Sequence, residues 1–158
     1  MPPLSARAQQ VQDALRALGV DAEVRELPAS TRTAAEAAAS LGCEQRQIAK
    51  SLLFRTLETD RGVLVVASGA NRVNERAVEG LVGEPVELAH PDFVKAVTGY
   101  AVGGVPPVAH AHPLEILIDE DLMMLDELWA AAGTPHAVFS LTPGQLRHIT
   151  RGRVAAIA

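Results

Sequence analysis

The sequence predicts an α/β domain of the α+β kind, one compact unit over residues 1–158, with a mixed, partly antiparallel sheet surrounded by helices. Three observations predict it. Helical spacing and two-residue alternation of apolar side chains both occur, interleaved along the chain. The two most apolar strand segments, Ile48–Phe54 and Val63–Ser68, flank a polar stretch containing Asp60-Arg61-Gly62, a turn signal, so they pair as a hairpin. Helices mixed with hairpin-joined strands favour a mixed sheet over a doubly wound one. Apolar residues make up 48% of the chain and aromatics 3%, so the core is built from Leu, Val, Ile and Ala.

Residues 6–18 carry Ala8, Val11, Ala14, Leu15 and Leu18 at helical spacing, and Gly19 stops the helix. Val20–Leu27 alternates in part and reads as a strand closed by Pro28. Thr33 and Glu36 make a capping-box pattern at the start of a helix Ala34–Leu41, which ends at Gly42. A helical turn around Glu44–Gln47 leads into the hairpin. Asn74 caps a helix running to about Val82. His90-Pro91-Asp92 opens another, with Pro91 at its first position, and Thr98-Gly99 closes it. A Gly/Pro loop, Gly103–Pro107, precedes a strand Leu114–Ile118 and a turn at Asp119-Glu120-Asp121. Val138–Leu141 is a last strand, and Thr142-Pro143 caps a final helix to about residue 150.

The single cysteine, Cys43, cannot form an internal disulfide, which gives no sign of an oxidising compartment. Met1–Arg7 has no basic stretch before an apolar run, so no signal peptide is expected. No apolar run approaches a membrane span. The cytoplasm is the expected compartment. The formal net charge is −5, so no broad basic face for DNA or RNA is expected. Binding to a tRNA would need a small, local contact or a partner that supplies the rest.

Lys50 interrupts an apolar strand and shares a face with Ile48, Leu52 and Phe54. Two readings stand: a packed stem with its head in water, or a cation on a cleft wall that holds a phosphate or polarises a carbonyl. In Gly103-Gly104-Val105-Pro106-Pro107 the glycines permit close approach of backbone to a ligand, and the prolines stiffen the far side. The N–H groups of Gly103, Gly104 and Val105 are candidates for meeting an anion or a developing oxyanion; a plain tight turn is the alternative. No Gly-x-Ser-x-Gly elbow or Walker loop is present. His110-Ala111-His112 lacks further ligands at zinc spacing, so neither metal nor cofactor is expected. Asp119-Glu120-Asp121 reads as a solvated turn with a helix cap. His136 either lines a pocket or is a loop histidine.

Taken together, Thr33–Gly42, then Gln47-Ile48-Ala49-Lys50-Ser51-Leu52, then Gly99-Tyr100 and Gly103–Pro107 resemble the YbaK/EbsC family, related to the editing domain inserted in bacterial prolyl-tRNA synthetases. The tail Glu127–Pro135 is also similar, and the resemblance runs from about Val20 to Thr150. It implies a deacylase that hydrolyses the ester of a mischarged tRNA in trans, carrying a small amino acid, with tRNA-Pro one candidate. It implies that Lys50 contacts the phosphate region of the terminal adenosine. The loop would supply Gly103, Gly104, Val105 and Pro107 to catalysis and Pro106 to substrate contact. Thr31, Leu52, Phe54, Ser68 and His136 are candidate walls of the side-chain pocket. Asn71 and Arg72 are candidates for contacting adenosine or phosphate, with a turn role as the alternative. The implied partner is the 3′ aminoacyl end of the tRNA, delivered alone or by a synthetase or elongation factor. A non-catalytic binding module, a metal hydrolase using His110 and His112, and a degenerate synthetase partner are the competing readings.

Overall fold

The computed structural model describes residues 3–158. Thirteen helices and strands follow one another: α1 (Ala6–Ala17), β1 (Arg25–Glu26), α2 (Ala34–Leu41), β2 (Ile48–Thr56), β3 (Gly62–Ser68), α3 (Glu75–Val82), β4 (Val86–Leu88), α4 (Pro91–Thr98), β5 (Glu115–Asp119), β6 (Leu128–Ala131), β7 (Ala137–Leu141), α5 (Pro143–Thr150) and β8 (Arg153–Ala155). Short 3₁₀ turns occupy Gln45–Gln47 and Glu120–Met124. The eight strands form one mixed sheet in the order β1-β7-β6-β2-β3-β5-β8, with β4 pairing the far end of β2.

The expected hairpin is the centre of this sheet. β2 and β3 pair antiparallel, with Lys50 opposite Ala67, Leu52 opposite Val65 and Phe54 opposite Val63. β3 is buried on both faces, which is why it reads as an unbroken apolar run. Its alternate side chains feed two cores. Leu64 and Val66 join Val11, Leu15, Phe139 and Leu146 beneath α1 and α5. Val63, Val65 and Ala67 join Phe54, Val78 and Ile157 on the α3 side. A third, smaller cluster packs α2 through Ala37 and Ala38 onto Ile48, Trp129 and Val138.

Four expectations are corrected. The strand read over Val20–Leu27 shrinks to Arg25–Glu26. The Gln12 side chain takes the place of a strand partner there: its amide donates to the Ala22 carbonyl and accepts from the Val24 N–H, both at 2.9 Å. Three strands beyond those expected, β4, β6 and β8, join the sheet; at three or four residues each they are too short to show a period in the sequence. At α2 the Thr33 hydroxyl caps the Glu36 N–H at 3.1 Å, but the Glu36 carboxylate does not return the bond. Finally, Asp119 is not solvated; it is 1% exposed and fully hydrogen-bonded.

Candidate active site

β2 runs through the middle of the sheet, so Lys50, near its start, is carried into the interior by strand pairing, while Arg55, near its end, pairs with Asp60. Lys50 is half-buried and donates from Nζ to the Asn71 carbonyl at 2.6 Å. Asn71 in turn donates from Nδ2 to Asp119 at 2.9 Å and to Asp121 at 2.7 Å. Asp119 also accepts the Ser68 and Asp121 N–H groups, both at 3.0 Å. The buried carboxylate is thus held rigidly behind the ammonium. Burial pulls the Lys50 pKa below its usual value, and the charge of Asp119 partly opposes that. An ammonium has three donors. Among the described residues one of them is used, which leaves two for a ligand.

The loop approaches from the other side of a cavity of about 400 Å³, a volume ordinary for small-ligand sites. Lys50, Gly103 and Val105 all line it, together with Thr31, Leu52 and the start of α2. Gly104 N–H bonds the Ala101 carbonyl at 3.0 Å, closing a β-turn with Gly103 at its third position. Gly103 has φ +91°, which a type II turn requires there and which other residues rarely adopt. Gly104 lies against the backbone of Thr134, where a Cβ would come within 3.0 Å. Its carbonyl accepts the Gly133 N–H at 2.9 Å. In a trans peptide the carbonyl and the following N–H point in opposite directions. The Gly133 bond therefore turns the Val105 N–H away from the Gly133 turn. Among the described residues, the Gly103 and Val105 N–H groups have no hydrogen-bond partner. The expectation of three free amides is corrected to two, because the turn uses the one on Gly104.

Other expected positions fall elsewhere. Phe54 is 3% exposed and packs in the α3-side core, since β2 has already passed the cavity at that register. Ser68 is a structural tie; its hydroxyl donates to the Arg46 carbonyl at 2.8 Å. Arg72 is exposed and does not line the cavity. His136 is exposed, and its Nδ1 meets the Ala29 carbonyl at 3.1 Å, off the cavity. Pro106 and Pro107 are buried behind the loop, and Pro107 borders a separate cleft. Thr31 does line the cavity, but its hydroxyl is committed to the Pro135 carbonyl at 3.0 Å.

The structure adds residues that motif reading missed. Arg32 is exposed, makes no ion pair among the described residues, and lies across Gly103 at the cavity rim. The first turn of α2, Ala34 and Ala35, also borders the cavity, where helix N–H groups and dipole favour an anion. Ser51 lines it too, and its Oγ is the one buried side-chain polar atom without a partner among the described residues. The Thr33 cap was the sequence signal for the α2 end. Nothing in the sequence marked Ser51 or Arg32.

With this geometry established, similarity to known proteins is informative. Residues 28–149 match the aminoacyl-tRNA editing domain family. The chain belongs to that family. It is 31% identical over 132 residues to the uncharacterized protein YwhH of Bacillus subtilis (strain 168), covering 84% of this chain and 83% of that one. It is 35% identical over 106 residues to the proline--tRNA ligase of Bacillus licheniformis, covering 64% of this chain but 18% of the ligase. A crystal structure of a proposed trans-editing enzyme for prolyl tRNA synthetase superimposes with a TM-score of 0.92 at 47% identity, over 98% of both chains. The editing-domain fold therefore accounts for the mixed sheet. No helix of the described residues is long and apolar enough to cross a membrane.

Proposed function

We propose that this editing domain is a cytoplasmic trans-acting hydrolase that deacylates tRNA mischarged with a small amino acid, with tRNA-Pro as the first candidate. One observation carries the reading: the Lys50 ammonium, with two donors unused among the described residues, and the unpaired amides of Gly103 and Val105 border a single cavity. The ammonium, joined by Arg32 and the α2 terminus, holds the phosphate of the 3′-terminal nucleotide. This fixes the ester between cation and loop. A water oxygen attacks the carbonyl carbon, and the carbonyl oxygen becomes an oxyanion that accepts the Gly103 and Val105 N–H groups. The intermediate collapses, the carbon–oxygen bond to the ribose breaks, the ribose oxygen takes a proton, and the free amino acid leaves.

An aminoacyl ester is already activated, so positioning and oxyanion stabilisation supply much of the acceleration. The neighbouring ribose hydroxyl offers a proton path, so no protein base is required. The apolar wall formed by Ala37, Ile48, Leu52, Val105 and Trp129 suits a small side chain, though such walls separate neighbours by only about 1–3 kcal/mol per methylene. The proline--tRNA ligase relative and the trans-editing structural neighbour support tRNA-Pro and association with a synthetase; an elongation factor is the other carrier consistent with the reading.

The test is release of free amino acid from alanyl-, seryl-, threonyl- and cysteinyl-tRNA-Pro, with wild type and Lys50→Ala. Wild type should hydrolyse at least one. Lys50→Ala should lose about 100-fold or more, the equivalent of one charged hydrogen bond of about 3 kcal/mol, while its circular dichroism stays native. A Lys50→Ala protein with wild-type turnover on every substrate defeats the mechanism. Tight binding of these tRNAs without amino-acid release would instead make the domain a binding module.

A further inference from the structure

The loop that carries the two free amides has a mechanical weakness. Pro106 and Pro107 have no N–H, so this stretch cannot anchor itself through its own donors. Each ring fixes φ, and Pro107 confines ψ of Pro106 to the extended region, within which the partner of the carbonyl sets the angle. At the Gly104 end the Gly133 N–H does the holding, at 2.9 Å. At the Pro106 end the partner is a side chain: Nε2 of His110 lies 2.6 Å from the Pro106 carbonyl oxygen.

We propose that His110 is a positioning residue that clamps the Pro106 carbonyl and so sets the aim of the Gly103 and Val105 amides, an inference that rests on the deacylase reading. A carbonyl only accepts, so Nε2 carries the hydrogen. Burial pushes the imidazole below its usual pKa, which leaves it neutral near pH 7, in the Nε2–H tautomer. His110 does not border the substrate cavity. It lines the separate cleft shared with Pro107, His112 and Ile149. Its backbone is also held for the purpose. Ala109, the residue before it, has φ +65°, uncommon for alanine, and the buried Tyr100 hydroxyl donates to the Ala109 carbonyl at 3.0 Å. The strained residue and its tether deliver the imidazole to the loop. The bond spans four residues, so it braces the proline stretch locally without joining distant elements. An oxyanion site is sensitive to placement on the scale of an ångström, with losses of about 100-fold.

The discriminating variants are His110→Asn and His110→Gln. Both keep a small polar side chain. The Gln amide nitrogen reaches the Nε2 position, whereas the Asn nitrogen stops near Nδ1. Single-turnover deacylation is measured on the alanyl-, seryl-, threonyl- and cysteinyl-tRNA-Pro panel, and amide ¹H–¹⁵N shifts are followed for Gly103, Gly104 and Val105. His110→Asn should lower the rate constant at saturating enzyme by about 10- to 100-fold, leave half-saturation within about twofold, and move the Gly103 and Val105 resonances. His110→Gln should restore both readouts to near wild type. An Asn variant with a wild-type rate and unmoved amides overturns the proposal, as does one in which rate, half-saturation and melting temperature fall together without rescue by Gln. If the wild-type protein hydrolyses none of the panel, the deacylase reading fails. The amide shifts still decide on the clamp: displacement in Asn with recovery in Gln supports it, and no displacement refutes it.

Discussion

At Ser51 the chain keeps a hydroxyl on the cavity wall whose oxygen is buried and has no partner among the described residues. A buried hydroxyl without a hydrogen bond costs about 1–3 kcal/mol. Strand β2 could have carried alanine or valine there at no such cost. The group is explained if a small side-chain rotation lets it bond a polar atom of the substrate. Ser51→Ala should therefore leave the melting temperature unchanged or raised by a few degrees, and should lower kcat/KM for the edited aminoacyl-tRNA by about tenfold, one net hydrogen bond. An unaltered kcat/KM would leave Ser51 as packing only. The contrast with Lys50 shows what a sequence reveals at this scale. A lysine inside an apolar strand is conspicuous, and so are paired glycines before paired prolines. Serine in a strand is not, and neither is Arg32, whose importance comes from lying across Gly103, seventy-one positions away. The burial of Asp119 is hidden in the sequence for the same reason: an acidic triplet looks solvated until Ser68, Asn71 and the chain turn at Asp121 close around its first member.

Among the elements, the hairpin was legible because both of its strands are strongly apolar and its turn is polar. What fixes that turn was not, because the restraint comes from another element. Glu84, in the connection between α3 and β4, accepts the Glu58 and Thr59 N–H groups at 3.0 and 2.9 Å and the Thr59 hydroxyl at 2.8 Å. Arg61 stands 3.4 Å from the same carboxylate. Led by the Thr59 backbone bond, the hydrogen bonds from Thr59 and Glu58 lower the Glu84 pKa from 4.5 to about 2, against the opposing effect of burial. The folded value lies below the unfolded one, so the ionised carboxylate stabilises the fold above pH 4.5, and that contribution is lost as the pH falls toward 2. Denaturant titrations at pH 7, 4.5 and 3 should show wild type weakening across the last step more than Glu84→Gln, whose amide does not titrate. Parallel curves for the two proteins would mean that other carboxylates govern acid sensitivity. The same principle explains β1: Gln12, on a helix, satisfies the backbone that a strand would otherwise pair, and no local pattern predicts a partner so far along the chain.

For the molecule as a whole, the difficulty is charge. Nineteen acidic residues against fourteen Lys and Arg give −5, an unpromising balance for binding RNA. The site resolves this by being small. On the proposed reading it offers the 3′ end two cations that make no ion pair among the described residues, Lys50 and Arg32, together with the α2 terminus. It also has a buried carboxylate, Asp119, set just behind, which repels any phosphate that strays from the ammonium. Each neutralised phosphate on a single strand contributes about −0.7 to the slope of log K against log salt concentration. One phosphate held by both cations predicts a slope of about −0.7 for binding of an intact tRNA, and Arg32→Ala should weaken the binding without steepening the slope. Fluorescence anisotropy of a 3′-labelled, non-hydrolysable aminoacyl-tRNA analogue between 50 and 300 mM salt would measure both. A slope steeper than about −4 would reveal an extended basic footprint, and the local-contact picture would fall. A shallow slope has a consequence for the cell. So few phosphate contacts give weak capture of the tRNA body, and discrimination among tRNAs would then have to come from the acceptor end itself or from a carrier protein.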